Sequence, residues 1–220
     1  MLLTHRHAFI YLKTIKTAGT SVEIYFERAC LPEDHGYEEL HFRNALVTEA
    51  GVIGQRGGVA TDEWYNHMPA SMVRDKVGPI WDRYLKFCCV RDPYDKVVSA
   101  FWMQIGDAER EALITAPFSK VQERFEAWVA ISDLGRDRYI YTIDGQPVVD
   151  DVIRYETLTE DLRRICERTG VPYEPWRLGR YKGEYRQRPE PAEAYYGAES
   201  LAIVGEAYDR EFEWFSYNRR

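Results

Sequence analysis

Polar and basic residues gather near the start of the chain, directly after a strand-type apolar run. The run Phe9–Leu12 stops, residues 13–21 bring small, hydroxyl-bearing and basic side chains, and residues 22–26 continue with helical spacing. A strand, a tight loop and a helix start in this order turn backbone N–H groups toward an anion. The segment therefore predicts a grip on a phosphate or a phosphate-like group. Side-chain donors at the same point are Lys16, Thr17, Thr20 and Ser21.

The order of residues in this loop excludes the phosphate-binding loop of ATPases. That loop has two glycines bracketing four residues, followed by Lys and then Ser or Thr. Here Lys16 precedes Gly19, the only glycine of the segment, so the loop is shorter. A loop of this length suits one phosphate or one sulfate-phosphate unit.

A second polar group follows another apolar run, residues 84–90. Arg91 comes directly after the run, Pro93 fixes the turn that starts the next helix, and Ser99 lies about two helical turns further on. Arginine offers planar bidentate donors to a phosphate, and serine adds a hydroxyl. The purely structural alternative is an ion pair of Arg91 with Asp95 and a serine buried in the helix.

Taken together, the two segments resemble the paired signatures of sulfotransferases that use 3′-phosphoadenosine-5′-phosphosulfate (PAPS). The resemblance is closest to the carbohydrate O-sulfotransferase branch and related bacterial proteins, and it is strong over residues 9–26 and 84–102. It implies that Arg91 and Ser99 bind the 3′-phosphate of PAPS, and that Lys16 also stabilises the leaving group. Ile15 departs from the family pattern, in which Pro is common before the Lys. The loop residues implied to bind the 5′-phosphosulfate end are Lys16, Thr17, Ala18, Gly19, Thr20 and Ser21.

A histidine is the candidate base for this chemistry. Sulfuryl transfer to a hydroxyl needs a base near the acceptor oxygen, and imidazole titrates in the useful range. His67 stands two residues before Pro69, which begins a predicted helix, and the resembling branch has its base in a comparable His-x-Pro setting. Glu63 or Asp62 could serve as the base instead.

Composition limits the class of protein. The 220 residues are 45% hydrophobic and 14% aromatic, which predicts a globular chain, and we expect one sulfotransferase-like domain over residues 1–220. The net charge of −7 disfavours a nucleic-acid partner. The four cysteines lack paired metal spacing, and Cys88 and Cys89 are expected to be buried thiols. Without a signal-peptide pattern or a membrane-span pattern, we expect a cytoplasmic enzyme that needs no metal.

Alternating strand and helix patterns predict the fold. We expect an α/β fold of three layers, in which helices flank a central, mostly parallel, P-loop-like sheet. In such a fold both polar segments follow the carboxyl ends of strands, where ligands bind. Glycine-rich residues 51–60 and residues 171–196 are expected to be loops. The predicted strands are 7–12, 84–90, 139–143 and 152–155, and the predicted helices are 19–30, 38–50, 69–77, 95–104, 121–131, 157–168 and 200–215.

Two other functions stay open, as does the acceptor. A P-loop-type small-molecule kinase would need ATP and Mg²⁺, and a non-catalytic nucleotide- or glycan-binding module would bind without turnover. The acceptor hydroxyl is expected on a saccharide or a small molecule. A late aromatic and basic segment suits either the acceptor or PAPS, and no single residue of 177–188 is assigned. Its members are Trp176, Arg177, Arg180, Tyr181, Lys182, Tyr185, Arg186 and Arg188.

Overall fold

The structure, a computed structural model, describes residues 1–58, 63–179, 181 and 185–220. The chain divides into two compact units. The sheet unit consists of Met1–Val90 and Asp137–Tyr181, and the helical unit consists of Arg91–Arg136 and Lys182–Arg220. The expectation of one domain over residues 1–220 stays a prediction.

The sheet unit is built on a mixed sheet. Its strands in the described residues are β1 (Leu2–Thr4), β2 (Phe9–Leu12), β3 (Leu46–Thr48), β4 (Gly51–Ile53), β5 (Leu85–Val90) and β8 (Asp151–Arg154), and β6 (Thr142–Ile143) and β7 (Gln146–Pro147) form a separate hairpin. The strand order across the sheet is β3-β4-β1-β2-β5-β8. β2 pairs in parallel with β5, and β5 with β8. β1 pairs antiparallel with β2 and β4, and β3 pairs antiparallel with β4.

Connection length explains the antiparallel half of this sheet. Residues 5–8 link β1 to β2, and residues 49–50 link β3 to β4. Both links are too short for a parallel crossover, which needs a dozen or more residues. The α/β class is therefore confirmed, but the parallel arrangement that we expected is found only among β2, β5 and β8, and the sheet is mostly antiparallel.

Helices account for most of the remaining regular structure. Pro93 starts α3 (Pro93–Gln104), where the Asp92 side chain accepts the Asp95 N–H at 3.0 Å. Gly170, with a φ of 72°, ends α6 (Leu158–Thr169). In the described ranges no helix is long and apolar enough to cross a membrane. The helices are α1 (Gly19–Glu27), α2 (Ala70–Val77), α3 (Pro93–Gln104), α4 (Asp107–Thr115), α5 (Phe118–Ile131), α6 (Leu158–Thr169), α7 (Ala198–Ala207) and α8 (Asp209–Trp214).

Most predicted elements are confirmed, but the region 38–60 is not. The predicted strand 139–143 is a 3-10 helix (Arg138–Ile140) followed by β6, and the predicted helix 200–215 is two helices, α7 and α8, separated at Tyr208. The predicted helix 38–50 is wrong, because residues 46–48 form β3. The predicted loop 51–60 begins instead with β4, in which a Cβ on Gly51 would lie 2.1 Å from the Leu3 carbonyl oxygen. Glycine marks a close approach of two strand backbones here rather than a loop. Residues 59–62 lie outside the described residues.

Each unit has its own apolar core. In the sheet unit, aromatic rings from β2, α1 and β5 meet. The ring centroids of Phe9, Phe26 and Phe87 lie 5.3 to 5.5 Å from one another. In the helical unit, Phe101 and Phe125 pack edge to face with ring centroids 5.4 Å apart. These cores hold β2, α1 and α3, the elements that carry the predicted site residues.

Candidate active site

The loop between β2 and α1, residues 13–18, has an unusual backbone. Lys16 and Ala18 have positive φ angles of 61° and 62°, with Thr17 between them. Left-handed residues of this kind each cost on the order of 1–3 kcal/mol and cluster at functional sites. A left-handed residue next to one of ordinary conformation is the backbone setting in which anion-binding nests form. The partly exposed Lys16 side chain extends from the same turn.

α1 begins directly after this loop, and its first turn has no side-chain cap. The N-cap residue is Ala18, whose side chain has no hydrogen-bond acceptor. Val22 donates its N–H to the Ala18 backbone carbonyl at 3.2 Å. The N–H groups of residues 19–21 precede that bond and lie at the positive end of the helix dipole. Thr20 and Ser21 are buried at this end. Loop and helix start therefore form a setting that can bind one anion.

The hydroxyl groups predicted as donors are partly used within the fold. Thr14 Oγ1 donates to the Cys89 carbonyl at 2.5 Å and lies 2.8 Å from Thr17 Oγ1. A threonine hydroxyl has one proton, so Thr17 is the donor of the second bond. Thr17 can therefore reach an anion through its backbone N–H but not by donating from its hydroxyl. Ser21 Oγ accepts the Tyr181 N–H at 3.4 Å, a bond that does not use the hydroxyl proton.

Asp137 anchors the loop, and sequence analysis missed it. The Ile15 N–H donates to Asp137 Oδ2 at 3.0 Å, and Asp137 is 3% exposed. The proline that the family resemblance leads one to expect at position 15 has no N–H to donate. The departure at Ile15 thus supplies the donor for this anchor. No local pattern points to Asp137, which is 122 residues away along the chain.

His67 lies against the same loop. Its Nδ1 is 2.9 Å from the Lys13 carbonyl oxygen, and its φ is 60°. A carbonyl oxygen only accepts, so Nδ1 is the protonated nitrogen and Nε2 of the neutral ring has a free lone pair. Burial and the nearby Lys13 ammonium lower the pKa of His67 to about 4. The imidazole is therefore neutral at pH 7 with Nε2 open to a proton, and it is a weaker base than the imidazole titrating in the useful range that we expected.

A buried ion network lies behind the loop and was also missed. Glu23 Oε2 accepts from Lys13 Nζ at 2.6 Å and from Arg56 Nη1 at 2.9 Å, and all three side chains are at most 3% exposed. Glu27, one turn further along α1, is paired with Arg56 and Arg43. Burial opposes ionisation of Glu23, but Lys13, the Met1 amino group and Arg56 outweigh it and hold its pKa at about 2.

The sequence does contain a signal for this network. Two glutamates four residues apart interrupt the otherwise apolar run of residues 22–26 and its continuation. Residues four apart share one face of a helix. Two carboxylates on a face that must be buried require cationic partners, and this requirement predicts a buried ion cluster without naming its cations.

Of the two alternative bases, the structure describes Glu63. Glu63 is exposed and accepts from Lys76 Nζ at 2.7 Å. Asp62 lies outside the described residues, as do Arg180 and Lys182 of the late segment.

In the helical unit, Arg91 is paired with Asp95, as the structural alternative supposed. Its Nε lies 2.6 Å from Asp95 Oδ2, and its side chain is 9% exposed. Arg186 donates to the other carboxylate oxygen at 2.7 Å. Two guanidinium groups thus share one carboxylate. Ser99 lies on α3, partly exposed, two turns into the helix.

Other residues of the late segment have structural partners. Arg188 donates to the carbonyls of Ile114 and Ala116, each at 2.9 Å, and so caps the end of α4. Arg177 pairs with Glu174 at 2.5 Å. Of the late segment's described arginines, Arg186 is thus the one joined to a predicted site residue, by way of Asp95.

The cysteines and the metal-ligand residues offer no competing site in the described ranges. All four cysteines are free and buried, which confirms the prediction for Cys88 and Cys89. Within residues 1–58, 63–179, 181 and 185–220, no group of three or more His, Cys, Asp or Glu side chains is arranged to hold a metal ion.

Comparison with known proteins finds sequence similarity to an archaeal protein. No family model matches the chain, and no solved structure matches it. It is 32% identical over 109 residues to an uncharacterized protein of Archaeoglobus fulgidus, a match that covers 49% of this chain and 86% of that protein. At this identity and coverage, the chain belongs to the same family as the uncharacterized archaeal protein.

Proposed function

We propose that the chain is a PAPS-dependent sulfotransferase, which transfers a sulfuryl group to a hydroxyl of a saccharide or a small molecule. The observation that carries the proposal is the 2.9 Å contact between His67 Nδ1 and the Lys13 carbonyl. It joins the candidate base to the predicted anion loop, although the two were identified from separate parts of the sequence. It also leaves Nε2, the nitrogen that a base must use, free of a proton.

The proposed reaction is an in-line displacement at sulfur. The acceptor oxygen attacks sulfur as its proton passes to His67 Nε2, and the bond from sulfur to the 5′-phosphate oxygen breaks. Lys16 neutralises the charge that develops on that oxygen, and the N–H groups of residues 19–21 bind the 5′-phosphate. The products are a sulfate ester and adenosine 3′,5′-bisphosphate. Positioning and charge stabilisation supply the catalysis, as in phosphoryl transfer.

The remaining parts of the proposal concern the 3′-phosphate, the architecture and the compartment. We assign Arg91 and Ser99 to the 3′-phosphate and add Arg186, because it shares Asp95 with Arg91. We retain a P-loop-like three-layer architecture, with β2, β5 and β8 as its parallel core. Four free, buried cysteines support a cytoplasmic location, where thiols stay reduced.

Ligand binding tests the nucleotide. In thermal-shift measurements, adenosine 3′,5′-bisphosphate should raise the melting temperature, because a ligand that binds only the native state stabilises it. ATP with Mg²⁺ should not. Stabilisation by ATP with Mg²⁺ alone would replace the proposal with the kinase, and binding of the bisphosphate without any transfer of labelled sulfate would favour the non-catalytic module.

Turnover tests the role of Lys16. Lys16→Ala should lower turnover at least ~100-fold, the loss typical for one preorganised donor at a developing negative charge. Lys120→Ala removes the same charge from the surface, where Lys120 is 67% exposed, and should leave turnover unchanged. A nearly normal rate in Lys16→Ala would refute the assignment.

A further inference from the structure

Lys13 contacts His67 through its main chain and the buried ion network through its side chain. The Lys13 carbonyl accepts from His67 Nδ1 at 2.9 Å. The side chain of the same residue is a buried tether: its Nζ lies 2.6 Å from Glu23 Oε2, and 3% of the Lys13 side chain is exposed. A residue held at both ends has little freedom to move its carbonyl away from the imidazole.

The tether is itself held in place. Glu23 lies on α1 and is also bound by Arg56 at 2.9 Å, and Arg56 is paired with Glu27 one turn further on. These side chains are almost fully buried. Buried charges stay ionised only when they are paired and hydrogen-bonded. The position of Lys13 is thus set by α1 rather than by the loop alone.

Lys13 acts on the imidazole in two ways, through its carbonyl oxygen and through the charge of its ammonium group. The charged groups that act on His67 are the Lys13 ammonium, the Met1 amino group and the Glu23 carboxylate. Burial of the ring is the largest effect that opposes its protonation, and the Lys13 ammonium acts in the same direction, whereas the hydrogen bond to the Lys13 carbonyl favours protonation. The Glu23 carboxylate likewise favours protonation, but its effect on His67 is smaller than that of the Lys13 ammonium with which it is paired.

We propose that Lys13 is a positioning residue for His67: its carbonyl oxygen selects the ring form protonated at Nδ1, and its tethered ammonium keeps Nε2 free of a proton. This inference rests on the proposed function in one respect, the role of Nε2 in accepting the proton of the acceptor hydroxyl. The state of the ring is a property of the fold and can be measured without any substrate. Lys16, three residues later, has the separate role of neutralising the charge that develops on the leaving group.

Nitrogen NMR of the protein labelled with ¹⁵N-histidine tests the inference directly, with His67→Asn to assign the signal. We expect the neutral ring to be protonated at Nδ1 and to titrate with a midpoint of about 4. Lys13→Met should raise that midpoint by on the order of one pH unit, the effect of removing a neighbouring like charge. Lys13→Arg should keep it low. Lys76→Met, which removes a partly exposed lysine of the same unit, should not move it.

Two results would overturn the inference: protonation at Nε2 in the wild-type protein, or the same midpoint in Lys13→Met as in the wild type. Glu23 keeps Arg56 as a partner when Lys13 is replaced, so Lys13→Met should fold. If it does not, the double variant Lys13→Met/Glu23→Gln removes the ion pair as a whole, and a smaller upward shift is expected because Glu23 acts on His67 in the opposite direction.

Sulfate transfer then separates this inference from the proposed function. In an active enzyme, the acidic limb of the pH profile of kcat/KM should move to higher pH in Lys13→Met and return in Lys13→Arg. If the ring behaves as described but no sulfate is transferred, the proposed function fails and the positioning role stands. If sulfate is transferred but the midpoint does not move, the positioning role alone fails.

Discussion

Replacement of Glu23 by glutamine removes one negative charge from the buried ion network and keeps the size of the side chain. In the fold, the pKa of Glu23 is about 2, against an ordinary value of 4.5. At 1.36 kcal/mol for each pKa unit, this difference corresponds to about 3 kcal/mol of stability at pH 7. Removing one partner of a buried ion pair typically costs about 3–5 kcal/mol, which agrees. We therefore expect Glu23→Gln to lower the free energy of unfolding by about 3 kcal/mol.

The pH dependence of that difference is the sharper part of the prediction. The stabilisation is fully present above pH 4.5 and is lost as the pH falls toward 2, because the folded protein then takes up the proton that the unfolded chain already holds. Urea unfolding should therefore show the gap between wild type and variant shrinking by about 1 kcal/mol between pH 7 and pH 4.

Glu33→Gln provides the matched control. Glu33 is 86% exposed and lies 3.3 Å from Arg6, so its charge is screened by water. Its loss should cost less than about 0.5 kcal/mol at either pH. A cost for Glu23→Gln no larger than that of the control, or a gap that does not change with pH, would refute the account of a charged buried network.

Three further predictions concern the loop and its neighbours. Because the folded pKa of His67 is about 4 against an ordinary 6.5, stability should fall as the pH drops from 6.5 to 4, by about 3 kcal/mol in total; His67→Asn should remove that part of the slope in urea unfolding, and an unchanged slope would contradict it. Asp137→Ala should cost about 1.5–3 kcal/mol in the same assay by leaving the Ile15 N–H without its carboxylate, whereas Asp137→Asn, which keeps an acceptor, should cost less; equal costs would argue against the anchor. Gly19→Ala places a Cβ 3.0 Å from a backbone oxygen and should weaken binding of adenosine 3′,5′-bisphosphate in calorimetry, whereas Gly106→Ala meets nothing within 4 Å and should not; similar affinities in both would show that the loop tolerates displacement.

Local patterns predicted the elements that hold the site. The apolar runs before residues 13 and 91, Pro93 at a helix start and Gly170 at a helix end each act within a few residues, so sequence alone finds them. The failure at 38–53 has a different cause. There β4 pairs with β1, which is nearly 50 residues away, and β3 in turn pairs with β4. Pairing between strands this far apart in the sequence leaves no periodic hydrophobic pattern in residues 38–53 that outweighs their helical propensity.

The site divides in the same way. The loop, its lysine and the histidine were identified from residue type and spacing. The contacts that define their states were not, because His67 meets Lys13 across 54 positions and Ile15 meets Asp137 across 122. Spacing also predicted Thr17 as a side-chain donor, and only its neighbour Thr14 reveals that the hydroxyl proton is already used.

The order of the chain has a consequence for synthesis on the ribosome. The helical unit is made of two segments, Arg91–Arg136 and Lys182–Arg220, and the second segment of the sheet unit is translated between them. α5 packs against α7, and Trp102 of α3 donates to the Tyr195 hydroxyl at 3.2 Å. Domains fold as units during translation, so a nascent chain stalled at residue 181 holds the whole sheet unit while the apolar faces of α3 and α5 still lack their partners. Those two helices are the segments of the newborn chain on which we expect chaperones to act.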